Sequence, residues 1–150
     1  MTNFKISCVQ IASGPNIDAN LIEVGKYIER SKTLGANIIV LPENFALMAE
    51  KDSIYLDIKE DFGKGKIQNF ISEQAKKNDV WIVAGTIPIK SKNKKKVFST
   101  CIVFDNKRVM ASSYDKLHLF EVELTEKNET YRESNIYIHG SSISVVDTHL

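Results

Sequence analysis

The sequence has almost no excess of charge of one sign over the other. Its 150 residues hold 20 Lys and Arg against 19 Asp and Glu, which gives a net charge of +1. A chain this balanced has no overall field to attract nucleic acid or a membrane surface, so neither is an expected partner. The exception is the run KSKNKKK at 90–96, which has five lysines and no aromatic residue on which a base could stack. We interpret this run as a solvated loop.

A long apolar run is missing at the amino terminus. The first residues, MTNFKISCVQ, show no basic segment followed by a long apolar one. They therefore predict neither a signal peptide nor a membrane span. The resulting expectation is a cytoplasmic protein without a membrane partner.

Cysteine and histidine are scarce and scattered. Cys8 and Cys101 lie in the strand-like runs FKISCVQI and VFSTCIVFD, where a free thiol usually behaves as a small buried hydrophobe. We expect no disulfide, and neither cysteine has metal-ligand spacing. His118, His139 and His149 lack the spacing of a structural zinc site. The sequence therefore predicts no metal and no other cofactor.

The amino-terminal two thirds of the sequence alternate between strand-like and helical patterns. A strand at about 4–11 precedes an apolar helical stripe, and a second strand follows at 38–41. The pattern repeats once, with another stripe leading into a buried strand at 80–86. The stripes consist of Leu21, Val24, Gly25 and Ile28, and of Ile67, Phe70, Ile71 and Ala75. Two βαβ units predict parallel neighbouring strands in a layered α/β domain.

The pattern changes after the lysine loop. Two β-rich runs at 97–105 and 108–115 are joined by the turn residues NK, which predicts an antiparallel hairpin and therefore a mixed sheet. Residues 114–134 have poor periodicity and many charges, as in a long functional loop. Short strands are expected at 136–139 and 142–148. No repeat or linker divides the chain, whose length is that of one domain.

Two charged residues stand where open α/β folds place chemistry. Glu43 follows the buried strand 38–41 and Pro42, and Lys116 follows the β-rich run before it. If the two share a cleft, the lysine holds the glutamate ionised while burial opposes that, which makes a tunable acid/base pair. The simpler interpretations remain open: Glu43 as the start of a solvated loop, and Lys116 as an ordinary surface lysine.

Four blocks in fixed order resemble the nitrilase, or carbon-nitrogen hydrolase, superfamily. They are VQIASGP near the start, GANIIVLPENF around Glu43, WIVAGTIP after the second helix, and YDKLHLFEVEL around Lys116. The resemblance covers nearly the whole chain and is strongest to the amidase branch of omega-amidases and deaminated-glutathione amidases. It implies an αββα sandwich, of which these residues would form mainly the first sheet, with helices on one face.

The resemblance also implies roles for three residues. Glu43 matches the family's general base and Lys116 its oxyanion-stabilising lysine, while Glu133 in YRES matches a second glutamate that orients the lysine or the attacking water. The implied reaction converts a small carboxamide to a carboxylate and ammonia through a cysteine thioester, without a cofactor. A nitrile or an N-carbamoyl substrate remains open.

The family's nucleophilic cysteine has no match in this sequence. It belongs to a later strand, whereas the sequence ends at Leu150, and neither Cys8 nor Cys101 corresponds to it. We therefore expect residues 1–150 to be the amino-terminal part of a single domain, inactive alone, with the sandwich incomplete at its carboxyl-terminal side. An uncovered apolar sheet face then predicts self-association, so that a homo-oligomer is expected.

Two other functions compete with an amidase. One is a catalytically inactive nitrilase-like chain that serves as a structural or assembly partner, an interpretation supported only by the missing cysteine. The other is a nucleotide-binding domain, which the single glycine in ASGPN makes a weak alternative, because phosphate loops are rich in glycine.

Overall fold

The computed structural model describes residues 4–124 and 129–148. Within them, one sheet is formed by β1 (Ile6–Cys8), β2 (Ile38–Val40), β3 (Trp81–Lys90), β4 (Val97–Phe104) and β5 (Met110–Asp115). The helices are α1 (Ile17–Thr33), α2 (Ile54–Ile58) and α3 (Lys66–Asn78). A separate hairpin consists of β6 (Glu121–Leu124) and β7 (Glu129–Arg132), and the 3₁₀ turn Glu133–Asn135 follows it.

The strands of the large sheet lie side by side in their chain order, β1-β2-β3-β4-β5. The pairs β1–β2 and β2–β3 are parallel, while β3–β4 and β4–β5 are antiparallel. This confirms both predicted βαβ units, the predicted hairpin after the lysine loop, and the mixed sheet. The carboxyl ends of β1 and β2 consequently open onto one edge of the sheet.

Helices α1 and α3 pack on one face of the sheet, whereas Tyr55 of α2 belongs to a second apolar cluster with Val97 and Tyr137. Helix α1 begins where the side chain of Asn16 accepts a hydrogen bond from Ala19 N, a typical N-cap. Helix α3 begins against the buried carboxylate of Glu60, which accepts hydrogen bonds from the first free amides of the helix, including Ile67 N at 2.6 Å. The predicted stripes face inward: their buried members are Leu21, Val24, Ile28, Ile67, Ile71 and Ala75.

The two faces of the sheet differ in burial. On the helix face, Ile39, Ile82 and Ile102 are fully buried. On the opposite face, Ile6 is 51% exposed, and Ile38, Val40 and Val83 are partly exposed. Neither α1 nor α3 covers this face, as expected for half of an αββα sandwich, although Val97 at the start of β4 lies on it and packs in a cluster with Tyr55 of α2.

The second face is less open than the sequence predicted. Trp81 and Val103 lie on it, since their neighbours in register are Ile38 and Val83, yet each is only 9% exposed. A hydrogen bond between Ser112 and Ser144 places the end of the described chain beside β5, because Ser112 lies next to Val103. Part of the predicted apolar surface is therefore covered within the chain.

Several predicted elements are corrected by the structure. The first strand covers only Ile6–Cys8 rather than 4–11. The predicted loop 114–134 contains the hairpin β6–β7, which pairs Val122 with Tyr131. The predicted strands 136–139 and 142–148 do not form, and the first of them makes only an isolated bridge between Tyr137 and Val97. These errors share a cause. In each segment the local sequence pattern is weak, so contacts with residues far apart in sequence determine the structure.

The cysteines also differ from expectation. Both are free thiols, but Cys8 is exposed and Cys101 is partly exposed rather than buried. Both lie on the second face of the sheet, opposite helices α1 and α3. None of the helices in the described ranges is long and apolar enough to cross a membrane.

Candidate active site

Lys116 joins the two glutamates that the sequence singled out. Its Nζ lies 3.0 Å from Glu43 Oε1, and 2.9 Å from both carboxylate oxygens of Glu133. These are hydrogen-bonding distances between ionised groups, which are stronger than those between neutral groups. The structure thus brings together residues from the end of β2, the end of β5 and the 3₁₀ turn.

Glu43 is placed by a loop that is fixed on both sides. The loop, residues 41–47, continues β2 through a hydrogen bond from Leu41 N to Val83 O at 2.9 Å. It then turns at Asn44, which has a φ of 55° and donates its backbone N–H to Thr86 Oγ1 at 3.2 Å. Phe45, beyond the turn, is fully buried in the core. We call residues 41–47 the Glu43 loop.

Lys116 is placed by the end of β5. Its backbone N–H donates to Ser99 O at 2.9 Å, and its carbonyl accepts from Gly140 N at 2.9 Å. The preceding residue, Asp115, accepts a hydrogen bond from Thr100 Oγ1 at 2.6 Å. Gly140 lies so close that an added Cβ would overlap the Asp115 carbonyl oxygen. Glycine at this position therefore allows the chain to pack directly against the lysine-bearing strand.

Glu133 is held by a reciprocal pair of hydrogen bonds with Phe120. Phe120 N donates to Glu133 Oε2 at 2.7 Å, and Glu133 N donates to Phe120 O at 3.1 Å. The carboxylate therefore has two kinds of partner, the backbone of Phe120 and the ammonium of Lys116. This pairing fixes the orientation of Glu133 from the segment that precedes the hairpin.

The charges at the site keep Lys116 protonated. Burial lowers the pKa of Lys116, but the hydrogen bonds to Glu133 and Glu43 and the negative charges of both carboxylates together outweigh burial and raise the pKa above its ordinary value. The Lys116 side chain is 23% exposed, Glu133 is 26% exposed and Glu43 is 49% exposed. Lys116 is thus a fixed cation, and Glu43 is the carboxylate with most access to solvent or to a substrate.

A cavity of about 250 Å³ adjoins Glu133. Tyr55 and Tyr137 form part of its wall, with ring centres 5.8 Å apart. Burial raises the pKa of both hydroxyls, and the neighbouring carboxylates, Glu43 and Glu133 among them, raise them further. Both tyrosines therefore stay neutral hydrogen-bonding groups across the physiological pH range.

Neither thiol belongs to this group of residues. Among the residues that the structure describes, neither Cys8 nor Cys101 hydrogen-bonds to Glu43, Lys116 or Glu133. Burial raises the pKa of Cys101, which reduces the fraction of reactive thiolate.

The structure offers no metal site in the part of the chain that it describes. Residues 4–124 and 129–148 contain no group of three or more His, Cys, Asp and Glu side chains placed to hold an ion. His118 and His139 lie in this part, whereas His149 lies outside the described residues.

Sequence reasoning missed the residues that support the site. Thr86, Asn44 and the tyrosine pair were not singled out. A signal for the first was present, because Gly85 and Thr86 interrupt the apolar run WIVAGTIP just before a proline, and a glycine inside a strand often marks a bulge or a close backbone approach. The tyrosines gave no such signal, since only the fold brings residues 55 and 137 together.

Known proteins are similar to this chain in sequence and in fold. Residues 5–150 match the family profile of the carbon-nitrogen hydrolases. The sequence is 31% identical to deaminated glutathione amidase from Yersinia enterocolitica, over 99% of this chain and 51% of that protein. It is 28% identical to human omega-amidase NIT2, over 99% of this chain and 52% of that protein. The chain thus spans about half the length of these curated relatives.

Solved structures agree in fold. The C. elegans NitFhit protein superposes with a TM-score of 0.84 at 24% identity, over 95% of this chain and 35% of that one. Saccharomyces cerevisiae Nit3, a member of the nitrilase superfamily, superposes with a TM-score of 0.79 at 23% identity, over 97% and 51%. The fold is thus the nitrilase type, incomplete in these residues. With a profile match that spans residues 5–150, this chain belongs to the carbon-nitrogen hydrolase family.

Proposed function

We propose that this chain supplies the general base and the oxyanion-stabilising lysine of an enzyme that hydrolyses a small carboxamide to a carboxylate and ammonia. The observation that carries the proposal is Lys116 Nζ, which lies within hydrogen-bonding distance of both Glu43 and Glu133. A protonated lysine between two carboxylates combines a fixed positive charge with a base, and acyl transfer needs both. The amidases among the relatives support this reaction class.

Each residue has a role in the proposed reaction. Glu43 takes the proton of a cysteine thiol, and the thiolate attacks the amide carbon. Lys116 stabilises the negative oxygen of the tetrahedral intermediate. Glu43 then returns the proton to the departing ammonia and activates the water that hydrolyses the thioester. Glu133 holds Lys116 in place or orients that water. Such base catalysis accelerates a reaction by about 10²–10⁴-fold.

The nucleophile of the proposed reaction is a cysteine that this chain does not provide at the site. Cys101 is a poor candidate because burial raises its pKa and it makes no hydrogen bond to the lysine among the described residues. We therefore propose that the 150-residue chain alone does not turn over amides. Without a thiol, the thioester route is closed, and the remaining groups do not replace it.

The same proposal extends to domain, location and assembly. Residues 1–150 would form the amino-terminal part of a single carbon-nitrogen hydrolase domain in the cytoplasm. The second face of the sheet, with Ile6 half exposed and Ile38, Val40 and Val83 partly exposed, supports assembly with another chain, and a homo-oligomer is the form we propose. The proposed substrate is a small amide, and a nitrile or an N-carbamoyl compound is the alternative.

Among the described residues, neither thiol hydrogen-bonds to the lysine site, and this also favours a second candidate function. In it, the chain is a catalytically inactive nitrilase-like protein that serves as a structural or assembly partner. The two functions differ in whether Glu43 and Lys116 matter for turnover in any form of the protein. Only the amidase requires them.

Ammonia release from succinamate tests the proposal. The 150-residue chain is compared with the product of the complete gene, and with that product carrying Glu43→Gln or Lys116→Met. Turnover by the longer product that falls by about 10²-fold or more in each variant supports the amidase. Turnover by the 150-residue chain that Cys101→Ala or Cys8→Ala abolishes would overturn the nucleophile assignment. No turnover by either form would favour the assembly partner.

A further inference from the structure

The strand next to the Glu43 loop contains an irregularity at the point where the loop crosses it. The pairing of β3 with β4 shifts register between Ala84 and Ile87. The two residues in the shift are Gly85 and Thr86. A β-bulge of this kind redirects side chains and ends regular pairing, and bulges are frequent next to active sites.

Gly85 lets the loop lie directly on the bulge. A Cβ added there would overlap the carbonyl group of Pro42 and would come within 2.7 Å of the Leu41 carbonyl oxygen. No side chain larger than hydrogen fits between the two backbones. The backbone immediately before Glu43 is consequently in contact with β3.

Thr86 fixes the backbone immediately after Glu43. Its Oγ1 accepts the hydrogen bond from Asn44 N, at the residue whose φ of 55° reverses the chain direction. Asparagine adopts a positive φ more readily than most residues other than glycine, and the hydrogen bond to Thr86 holds Asn44 in this turn. Gly85 and Thr86 thus hold the two sides of one residue, Glu43.

The side chain of Glu43 has little else to position it. It is 49% exposed, and its only hydrogen bond among the described residues is the one to Lys116. Glu133, in contrast, is held by Phe120 N as well as by Lys116. The orientation of Glu43 therefore depends on its backbone.

We propose that Thr86 is a positioning residue, which holds the Asn44 turn so that the Glu43 carboxylate reaches Lys116. Its catalytic consequence rests on the proposed function, in which Glu43 is the general base. Its geometric consequence does not, because the contact between Glu43 and Lys116 is measurable without turnover. The proposed role requires a hydroxyl and not merely a side chain of this size.

The test is a set of variants followed by NMR. Thr86→Val removes the acceptor at constant shape, Thr86→Ser retains it, and Glu43→Gln defines the signal when the carboxylate is lost. Thr33→Val is the matched control, since the Thr33 hydroxyl donates to Glu29 O at the exposed end of α1, which precedes β2, whereas Glu43 follows β2. The readouts are hydrogen exchange of the Asn44 amide and the titration of Lys116 Nζ.

The expected result distinguishes a change in the position of the Glu43 carboxylate from a general loss of protein stability. In Thr86→Val, the Asn44 amide exchanges faster, and the Lys116 pKa falls by most of the amount that Glu43→Gln produces. Thr86→Ser and Thr33→Val keep the parent values. A folded Thr86→Val protein with an unchanged Lys116 titration would overturn the proposal. If Thr86→Val does not fold, Thr86→Ala is used for the same two measurements.

Turnover distinguishes failure of this proposal from failure of the proposed function. In the complete gene product, Thr86→Val should lower kcat more than KM changes, with rescue by Thr86→Ser. Absence of amide turnover in every form, together with the expected Lys116 shift, would reject the amidase and keep Thr86 as the residue that positions Glu43. Turnover unaffected by Thr86→Val would reject the positioning role while leaving the amidase intact.

Discussion

The two segments that bring glutamates to Lys116 are built in opposite ways. The Glu43 loop leaves a buried strand and returns to the core at Phe45, Ala46 and Leu47, which are all buried. The segment 117–135, within the residues described, lies at the surface and includes the separate hairpin β6–β7, where Phe120 and Tyr131 are 56% and 51% exposed. One glutamate is therefore placed by the core and the other by a surface segment.

The side chains show the reverse pattern. Glu43 has a fixed backbone but a half-exposed carboxylate with a single hydrogen bond, whereas Glu133 has a carboxylate that is 26% exposed and bonded to two partners. A base that must accept and return protons needs access, and a group that only orients a lysine needs fixed bonds. The difference in construction thus corresponds to the proposed difference in role.

Gly85→Ala should disturb the Glu43 loop most. The new Cβ would overlap the Pro42 carbonyl, so that either β3 or the loop has to move. We expect a loss of stability at or above the upper end of the range of about 1–3 kcal/mol that overpacking costs. Chemical denaturation measures it. The control is Gly14→Ala, where the nearest atom to an added Cβ lies 3.9 Å away. Equal stability of the two variants would contradict the close approach of loop and strand.

Lys116→Met should weaken the connection between the two segments. The substitution leaves two carboxylates facing each other with no cation between them, and at neutral pH we expect a loss of about 1–3 kcal/mol. Because the pKa of Lys116 is raised in the folded chain, its stabilising effect is complete below the ordinary value of 10.5 and is lost as the pH rises through the folded value. Urea unfolding at pH 8 and pH 11 should therefore show the parent and the variant converging at high pH. A constant difference would contradict this linkage.

Glu133→Gln and Glu43→Gln should show how much each glutamate raises the pKa of Lys116. Glu133 is the more buried of the two and brings both oxygens to 2.9 Å from Lys116 Nζ, whereas Glu43 brings one oxygen to 3.0 Å. We expect the Lys116 pKa to fall in both variants, and to fall further in Glu133→Gln. NMR titration of the lysine side chain measures both shifts. The reverse order would show that the surface segment contributes less than the core-anchored loop.

Lys77→Ala should have the smallest effect. Lys77 forms an ion pair with Glu29 at 2.6 Å, but the two side chains are 63% and 52% exposed. Exposed pairs contribute about 0–1 kcal/mol because water and salt screen them. Thermal unfolding at low and high salt should detect little change. A loss as large as that of Lys116→Met would mean that distance alone, rather than burial and shared partners, determines the value of a charge pair here.

The order of helices and strands, and the place of Glu43 in that order, were predictable from the sequence. The apolar stripes and the buried strands have periods that only helices and strands produce, so the order of elements followed from local pattern. Parallel strands then require their carboxyl ends to meet at one edge, which made the end of β2 a reasonable place for Glu43. The proximity of Lys116 also followed from its place after a β-rich run. The catalytic roles of these residues and of Glu133 remain a proposal.

The sequence by itself determined the order of the βαβ units, the antiparallel hairpin from 97 to 115 and the positions of charged residues at strand ends, because these depend on the spacing of apolar residues along the chain. Only the tertiary structure decided that β6 and β7 pair while residues 142–148 do not, that Trp81 is covered, and that a bulge at Gly85 and Thr86 meets the Glu43 loop. Those outcomes depend on contacts between residues far apart in sequence, whose backbone hydrogen bonds and packing outweigh weak local preferences.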